Sequence, residues 1–157
     1  MESGAEFSEG FKYRYALWRI WDRSKPIVMF IGLNPSTANA VEDDATIRSV
    51  RRISEHNGYG GFYMMNCFAY VSKNPADLKL EVNNRVNDRW LHKIAAKCKT
   101  VVFAWGNFDV VIKTGRYWEM WQMFSDRAMA LSQNKNGSPK HPLYCKSKSA
   151  FIKYKHV

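Results

Sequence analysis

The chain has 157 residues, with 24 Lys and Arg against 14 Asp and Glu, and a formal net charge of +10. Hydrophobic residues make up 46% and aromatic residues 15%, which excludes a disordered chain and, at this length, favours one domain over residues 1–157. The longest apolar runs fall well short of the ~20 residues that cross a bilayer. The N-terminus lacks the charged and apolar regions of a signal peptide. We therefore expect a cytoplasmic protein with no membrane partner.

Several common kinds of site are excluded by spacing. Cys67, Cys98 and Cys145 are widely separated, so they form neither a disulfide framework nor a metal-binding C-x-x-C pair. The four histidines lack the H-x-x-x-H spacing of zinc sites. P-loop, dinucleotide-binding and nucleophile-elbow motifs are all absent. The sequence predicts neither a metal nor another cofactor.

Positive charge is concentrated at the C-terminal end of the chain. Asp126 is the last acidic side chain, and segment 127–157 then interleaves lysines with aromatic residues. Such a mixture suits phosphates and stacked bases. We expect DNA, single- or double-stranded, as the partner of this basic segment, with contacts from Lys140, Lys146 and Lys148.

Strand-like and helical segments alternate along the chain. The predicted strands cover residues 13–21, 27–33, 61–70, 99–107 and 127–132. The predicted helices cover residues 42–58, 81–97 and 115–124. This alternation predicts a three-layer α/β/α domain with a mostly parallel central sheet.

Polar residues follow the predicted strands. Asn34 and Asn66 stand at the ends of two of them, Asn107 follows a third, and His141 lies in the loop beyond the fourth. Ligands of parallel sheets bind beyond the carboxyl ends of the strands. We therefore expect these four side chains to converge on one edge of the sheet.

The ordered motifs resemble those of the uracil-DNA glycosylase superfamily. The segment 32–36, "GLNPS", is similar to the G-[IM]-N-P-G motif of its mismatch-specific and single-strand-selective branches. Asn66 stands where the superfamily often has a base-reading asparagine, and "VVFAWGN" resembles its V-V-F-x-x-W-G strand. His141-Pro142 resembles the H-P-S motif, whose histidine is catalytic and whose loop inserts into DNA. The resemblance implies a uracil-DNA glycosylase-like fold.

The chain looks closer still to a phage and bacterial family known only as a domain of unknown function. Members of that family carry L-N-P-S-T, D-D-x-T-I-R, N-x-F-A-Y, W-G-N and H-P-L-Y, and all five motifs are present here. Because fold does not fix function, this second resemblance leaves the activity open.

The glycosylase resemblance implies roles for individual residues. Asn34 would hold the attacking water, and neutral His141 would stabilise the departing base. Asn66 would read the base edge and Phe68 would stack on the base. The remaining substrate-binding residues would be Gly32, Leu33, Pro35 and Ser36.

Each of these residues also has a structural interpretation. Asn34 suits a turn before proline, His141 suits a loop beside a turn proline, Asn66 can end a strand, and Phe68 can belong to the core. Asp43 and Asp44 could supply a carboxylate, but acidic residues also favour helix starts, which is the role we expect for them.

Two further features bear on DNA and on the base. Leu143 or Tyr144 could wedge into a duplex. The strict uracil enzymes place a tyrosine soon after the motif proline, whereas Ser36 follows Pro35 here. We expect the pocket to tolerate a pyrimidine with a 5-substituent.

The sequence departs from the superfamily where Ser36 replaces glycine and Leu143 replaces serine. The predicted function is a DNA glycosylase-like protein that binds nucleic acid and excises a pyrimidine base, with or without a 5-modification, by N-glycosidic hydrolysis. The alternatives are a non-catalytic binding module for nucleic acid, a nucleotide or a protein, and a nucleotide or nucleoside hydrolase.

Overall fold

The computed structural model describes residues 1–74, 84–107 and 109–157. Its strands are β1 (Glu2–Phe7), β2 (Arg14–Ile20), β3 (Ile27–Gly32), β4 (Gly61–Asn66), β5 (Val101–Phe103), β6 (Ala128–Ala130) and β7 (Ile152–Lys153). Its helices are α1 (Ala45–His56), α2 (Arg85–Ala95), α3 (Asp109–Lys113) and α4 (Arg116–Phe124), with short 3₁₀ turns at Glu9–Phe11 and Pro142–Tyr144. The fold is α/β.

One seven-stranded mixed sheet runs through the described residues in the order β1-β2-β4-β3-β5-β6-β7. The four central strands, β4, β3, β5 and β6, are parallel. The outer pairings β1–β2, β2–β4 and β6–β7 are antiparallel. The prediction of a mostly parallel sheet therefore holds for the centre only, since β1 and β2 at one end of the chain and β7 at the other add antiparallel strands to the edges.

The sheet is covered on both faces. Ile47, Val50 and Ile53 of α1 pack with Phe30 and Phe62 on one face. Helices α2, α3 and α4 pack on the other face, where their apolar residues join Ile31, Phe103 and Trp105. Central strands buried on both faces are apolar at successive positions, which explains why residues 28–31 are all fully buried.

The helix boundaries follow from local chemistry. Asp44 precedes α1, and its carboxylate accepts a hydrogen bond from the Ile47 N–H at 2.9 Å, which satisfies one of the free donors of the first turn. The helix ends at Asn57-Gly58, where Gly58 adopts a φ of 82° that favours glycine. The predicted helix over 81–97 corresponds to α2, and its first residues, 81–83, lie outside the described ranges.

Elsewhere the structure confirms the predicted elements and shortens several of them. The strands predicted over 61–70 and 99–107 end at Asn66 and Phe103. The apolar residues that follow, 67–69 and 104–105, are buried, which explains why the apolar pattern alone extended the predicted strands. Strands β1 and β7 and helix α3 were not predicted. No helix in the described part of the chain has the length and apolar character to cross a membrane.

Candidate functional site

A pocket of about 300 Å³ opens at the edge of the sheet where β3 and β4 end. Nine residues singled out from the sequence line it: Gly32, Leu33, Asn34, Pro35, Ser36, Asn66, His141, Leu143 and Tyr144. The pocket also contains residues that the sequence did not single out for binding: Arg14, Thr46, Ile47, Met64, Ser72 and Lys73. Volumes of this order are typical of small-molecule sites.

Gly32 keeps the floor of this pocket open. A Cβ at this position would lie 2.8 Å from both the Asn66 Oδ1 and the Met64 Cε. Such distances are shorter than van der Waals contact, so any larger residue would displace one of these side chains. Glycine at this position permits this close packing and is not needed for the backbone conformation, since Gly32 is not among the residues with positive φ.

Asn34 is held by its amide nitrogen. The Nδ2 group donates to the Ser72 carbonyl at 2.9 Å and to the Pro35 carbonyl at 3.1 Å. Both amide protons are thereby used to tie the loop after β3 to the segment after β4. The Oδ1 atom accepts no hydrogen bond within the described ranges, so it is the part of Asn34 that can accept a hydrogen bond from a ligand or a water.

Asn66 is 3% exposed, yet its carboxamide has no hydrogen-bond partner among residues 1–74, 84–107 and 109–157. Its backbone carbonyl accepts from the Asn87 Nδ2 at 2.9 Å, which fixes the end of β4. The amide atoms of Asn66 are not among the fully buried polar atoms that lack a hydrogen bond, and Asn66 lines the pocket, so its carboxamide reaches the open space there. Asn66 therefore presents one donor and one acceptor to whatever occupies the pocket.

His141 is oriented by the backbone of its own loop. Its Nδ1 accepts a hydrogen bond from the Leu143 N–H at 3.1 Å as the 3₁₀ turn begins. Burial lowers the pKa of His141, and the carboxylate of Asp44 opposes this effect. The lowered pKa favours the neutral ring. Because Nδ1 accepts a hydrogen bond, the proton of the neutral ring lies on Nε2, and this Nε2–H can donate to a ligand.

The two neighbouring aspartates have different surroundings. Asp43 pairs with the buried Arg19 guanidinium at 2.9 Å, whereas Asp44 caps α1 and lines the pocket. The structural role expected for Asp44 is confirmed, and its negative charge also acts on Arg14 and His141.

Arg14 is the residue that sequence reasoning missed. It begins β2, is 3% exposed and lines the pocket. The sequence does place this arginine inside "YRYALWRIW", a segment predicted to be a strand. Because a buried charge requires a partner, a charged residue in such a strand was the signal that could have identified Arg14.

The rim of the pocket carries exposed apolar side chains. Leu143 is 46% and Tyr144 75% exposed, and the Tyr144 ring lies 6.0 Å from the His141 ring, centroid to centroid. Lys140 lines an adjoining depression together with His141, Tyr144 and Asn107. Lys146 and Lys148 are exposed further along the same segment.

Two expectations fit the structure less well. Phe68 is 2% exposed, packs in the core and does not line the pocket, which agrees with its structural interpretation. Asn107 does not line the pocket either, because β5 ends early and carries it to the adjoining depression, where its Oδ1 contacts Asn136. The predicted convergence therefore holds for Asn34, Asn66 and His141.

Comparison with known proteins identifies the family. The family model described as "Protein of unknown function (DUF1643)" matches residues 14–143, which is most of the chain. Searches of curated proteins and of solved structures found no match. The chain belongs to the DUF1643 family.

Proposed function

We propose that this protein binds DNA and hydrolyses the N-glycosidic bond of a pyrimidine nucleotide, with a uracil-DNA glycosylase-like fold. The observation that carries the proposal is the convergence of Asn34, Asn66 and His141 on one pocket of about 300 Å³. These are the three positions at which the sequence motifs resemble those of the uracil-DNA glycosylase superfamily. The family membership itself supplies no activity, so the proposal depends on the site.

Base recognition is assigned to Asn66. Its buried carboxamide is without a partner in the described ranges, and one donor beside one acceptor matches the edge of a pyrimidine. An enzyme that acts on a base in DNA must extrude it from the stack. The exposed Leu143 and Tyr144 at the rim are suited to fill the gap left in the duplex.

The proposed reaction breaks the bond between the base nitrogen and C1′ of the sugar. The bonding electron pair leaves with the base, whose developing negative charge receives a hydrogen bond from the His141 Nε2–H. A water held by the Asn34 Oδ1 adds to C1′, and its proton passes through solvent to the departing base. Asp44, whose carboxylate lines the same pocket, stabilises the positive charge that develops on the sugar.

The test is a base-release assay on labelled oligonucleotides, single- and double-stranded. They carry uracil, mismatched thymine, 5-hydroxymethyluracil or modified cytosines, and alkali reveals abasic sites. We expect release from at least one substrate, reduced at least ~100-fold by His141→Ala because one electrostatic donor is lost. The matched control is His92→Ala, since His92 is exposed on α2. Equal losses in both variants would contradict the assignment.

One observation favours a second function, that of a recognition module without catalysis. Asn34 cannot accept a proton as a carboxylate does, and one oxygen of Asp44 is already used to cap α1. Tight binding of DNA that weakens steeply with salt, without release of any base, would support this second function. A small-substrate hydrolase would show a much weaker dependence on salt.

A further inference from the structure

Two buried arginines on β2 differ in how they are satisfied. Arg19 is 2% exposed; it pairs with Asp43 and donates to four backbone carbonyls, those of Gly4, Trp18, Asn39 and Glu42. Arg14 is 3% exposed, and the only hydrogen bond of its side chain within the described ranges runs from Nη1 to the Ala38 carbonyl at 3.1 Å. Its Nε is buried without a partner.

Arg14 lies at the pocket rather than in the sheet interior. Strand β2 is antiparallel to β4, so its first residue reaches the edge where β4 ends. Arg14 lines the pocket, and its Nη2 has no partner among the described residues. The other charged groups of the pocket are Asp44, which is not within ion-pair distance of Arg14, and Lys73 at the exposed rim.

A buried guanidinium without a counter-ion is unfavourable in the free protein. Its planar set of donors suits a phosphate, which offers several acceptor oxygens. The hydroxyl groups of Ser36, Thr46 and Ser72 line the same pocket and can supply further donors. A phosphate would therefore satisfy groups that the protein itself leaves without partners.

We propose that Arg14 is the phosphate-binding residue of the pocket and that the ligand is a nucleotide bound through its phosphate as well as its base. The inference rests on the proposed function in one respect, namely that a nucleotide enters this pocket. It adds that Arg14 distinguishes a nucleotide from a nucleoside. It does not require that the bound nucleotide be cleaved.

The experiment compares three small probes by calorimetry: deoxyuridine, deoxyuridine 5′-monophosphate and inorganic phosphate. We expect the wild-type protein to bind the monophosphate at least ~10-fold more tightly than the nucleoside. Arg14→Met should abolish that preference and leave the affinity for the nucleoside unchanged. The control Arg52→Met removes an exposed charge on α1 and should keep the preference.

A second measurement uses only the wild-type protein and does not depend on the variant folding. The guanidinium Nε–H signals of the buried arginines are followed by NMR during a phosphate titration. The Arg14 signal should shift, whereas that of Arg19, which is fully paired, should stay in place. Shifts of both signals or of neither would overturn the inference.

The source of the phosphate is distinguished with oligonucleotides that carry one neutral methylphosphonate beside the target nucleotide. If this change weakens binding to the wild-type protein but not to Arg14→Met, Arg14 receives a phosphate of the DNA chain. If only the free monophosphate depends on Arg14, the ligand is a mononucleotide. An Arg14→Met variant that keeps the full preference for phosphate would refute the inference even if base release is observed. A phosphate preference dependent on Arg14, without base release, would refute only the proposed reaction.

Discussion

Replacing Arg14 with methionine should leave the protein at least as stable as the wild type. Methionine has nearly the shape of the arginine stem but carries no charge and needs no hydrogen bonds. Most substitutions of buried residues destabilise a protein. The opposite expectation for Arg14 follows from its lack of an ion-pair partner in the described part of the chain.

The magnitude comes from the burial of the charge. Burial lowers the pKa of Arg14 from 12.5 to about 10, with Asp44 opposing the shift and Arg19 adding to it. A change of this size corresponds to roughly 3 kcal/mol of destabilisation of the charged form at neutral pH. Losing the hydrogen bond to Ala38 offsets about 1–3 kcal/mol of that gain. We expect Arg14→Met to lie between equal stability and about 2 kcal/mol of additional stability.

The assay is urea unfolding at pH 7, followed by tryptophan fluorescence, with the free energy of unfolding obtained by linear extrapolation. The matched control is Arg19→Met on the same strand. It leaves Asp43 and four backbone carbonyls without their donor and should lose about 3–5 kcal/mol of unfolding free energy.

The difference in unfolding free energy between wild type and Arg14→Met should stay constant from pH 6 to 9, because both folded and unfolded Arg14 are protonated below pH about 10. Above that pH the unfolded state binds more protons, so the wild-type protein should gain stability relative to the variant. A loss of ~2 kcal/mol or more in Arg14→Met would refute the reasoning and assign Arg14 a structural role.

Four further predictions concern the pocket. Gly32→Ala should cost about 1–3 kcal/mol of unfolding free energy in urea titrations, because its Cβ would lie 2.8 Å from the Asn66 Oδ1. Asp44→Asn should keep the cap of α1 and change the melting temperature little, but it should slow base release. Equal rates of base release in the variant and the wild type would exclude an electrostatic role for Asp44. Burial lowers the pKa of His141, so base release should persist below pH ~6.5, the ordinary pKa of histidine. The unfolded state binds the proton at a higher pH than the folded state does. The free energy of unfolding should therefore fall as the pH drops through that range. Ser36→Tyr should suppress release of 5-substituted pyrimidines while sparing uracil in a competition assay, and equal loss for both bases would count against the expected room at this position.

Much of the architecture could be predicted because it depends on local patterns. The continuous apolar run over 27–33 favours a strand covered on both faces, and β3 is buried from Val28 to Gly32. Asp44 and Asn57-Gly58 mark the two ends of α1 through capping chemistry that involves neighbouring residues alone. The convergence of Asn34 and Asn66 followed from a topological rule for parallel strands and did not require the tertiary structure.

The missed features depend on distant parts of the chain. Strand β1 carries "ESGAEF", which has little strand character, and it forms because β2 offers an edge for pairing. Strand β7 is two residues long and pairs with β6 across a loop of more than 20 residues. Phe68 stands two residues after Asn66, the polar end of β4, and only the packing of the helical face decides that it belongs to the core.

The buried polar groups of the pocket support a binding site more strongly than the motifs do. A stable protein with no ligand to recognise would gain from an apolar residue at Arg14, since Arg14 is 3% exposed and its Nε has no hydrogen-bond partner within the described ranges. Arg19 and Arg116, the other arginines of comparable burial, are both paired with carboxylates, so this fold can satisfy a buried guanidinium when its role is structural. Among the buried side-chain atoms without a hydrogen bond in the described ranges, Arg14 Nε belongs to the pocket that Asn34 and His141 also line, whereas Asn84 Oδ1, Asn87 Oδ1 and Arg127 Nε lie outside it. The distinction of Arg14 is that its charged group lacks a carboxylate partner and lines a cavity, which is the arrangement expected when a ligand supplies the missing partner.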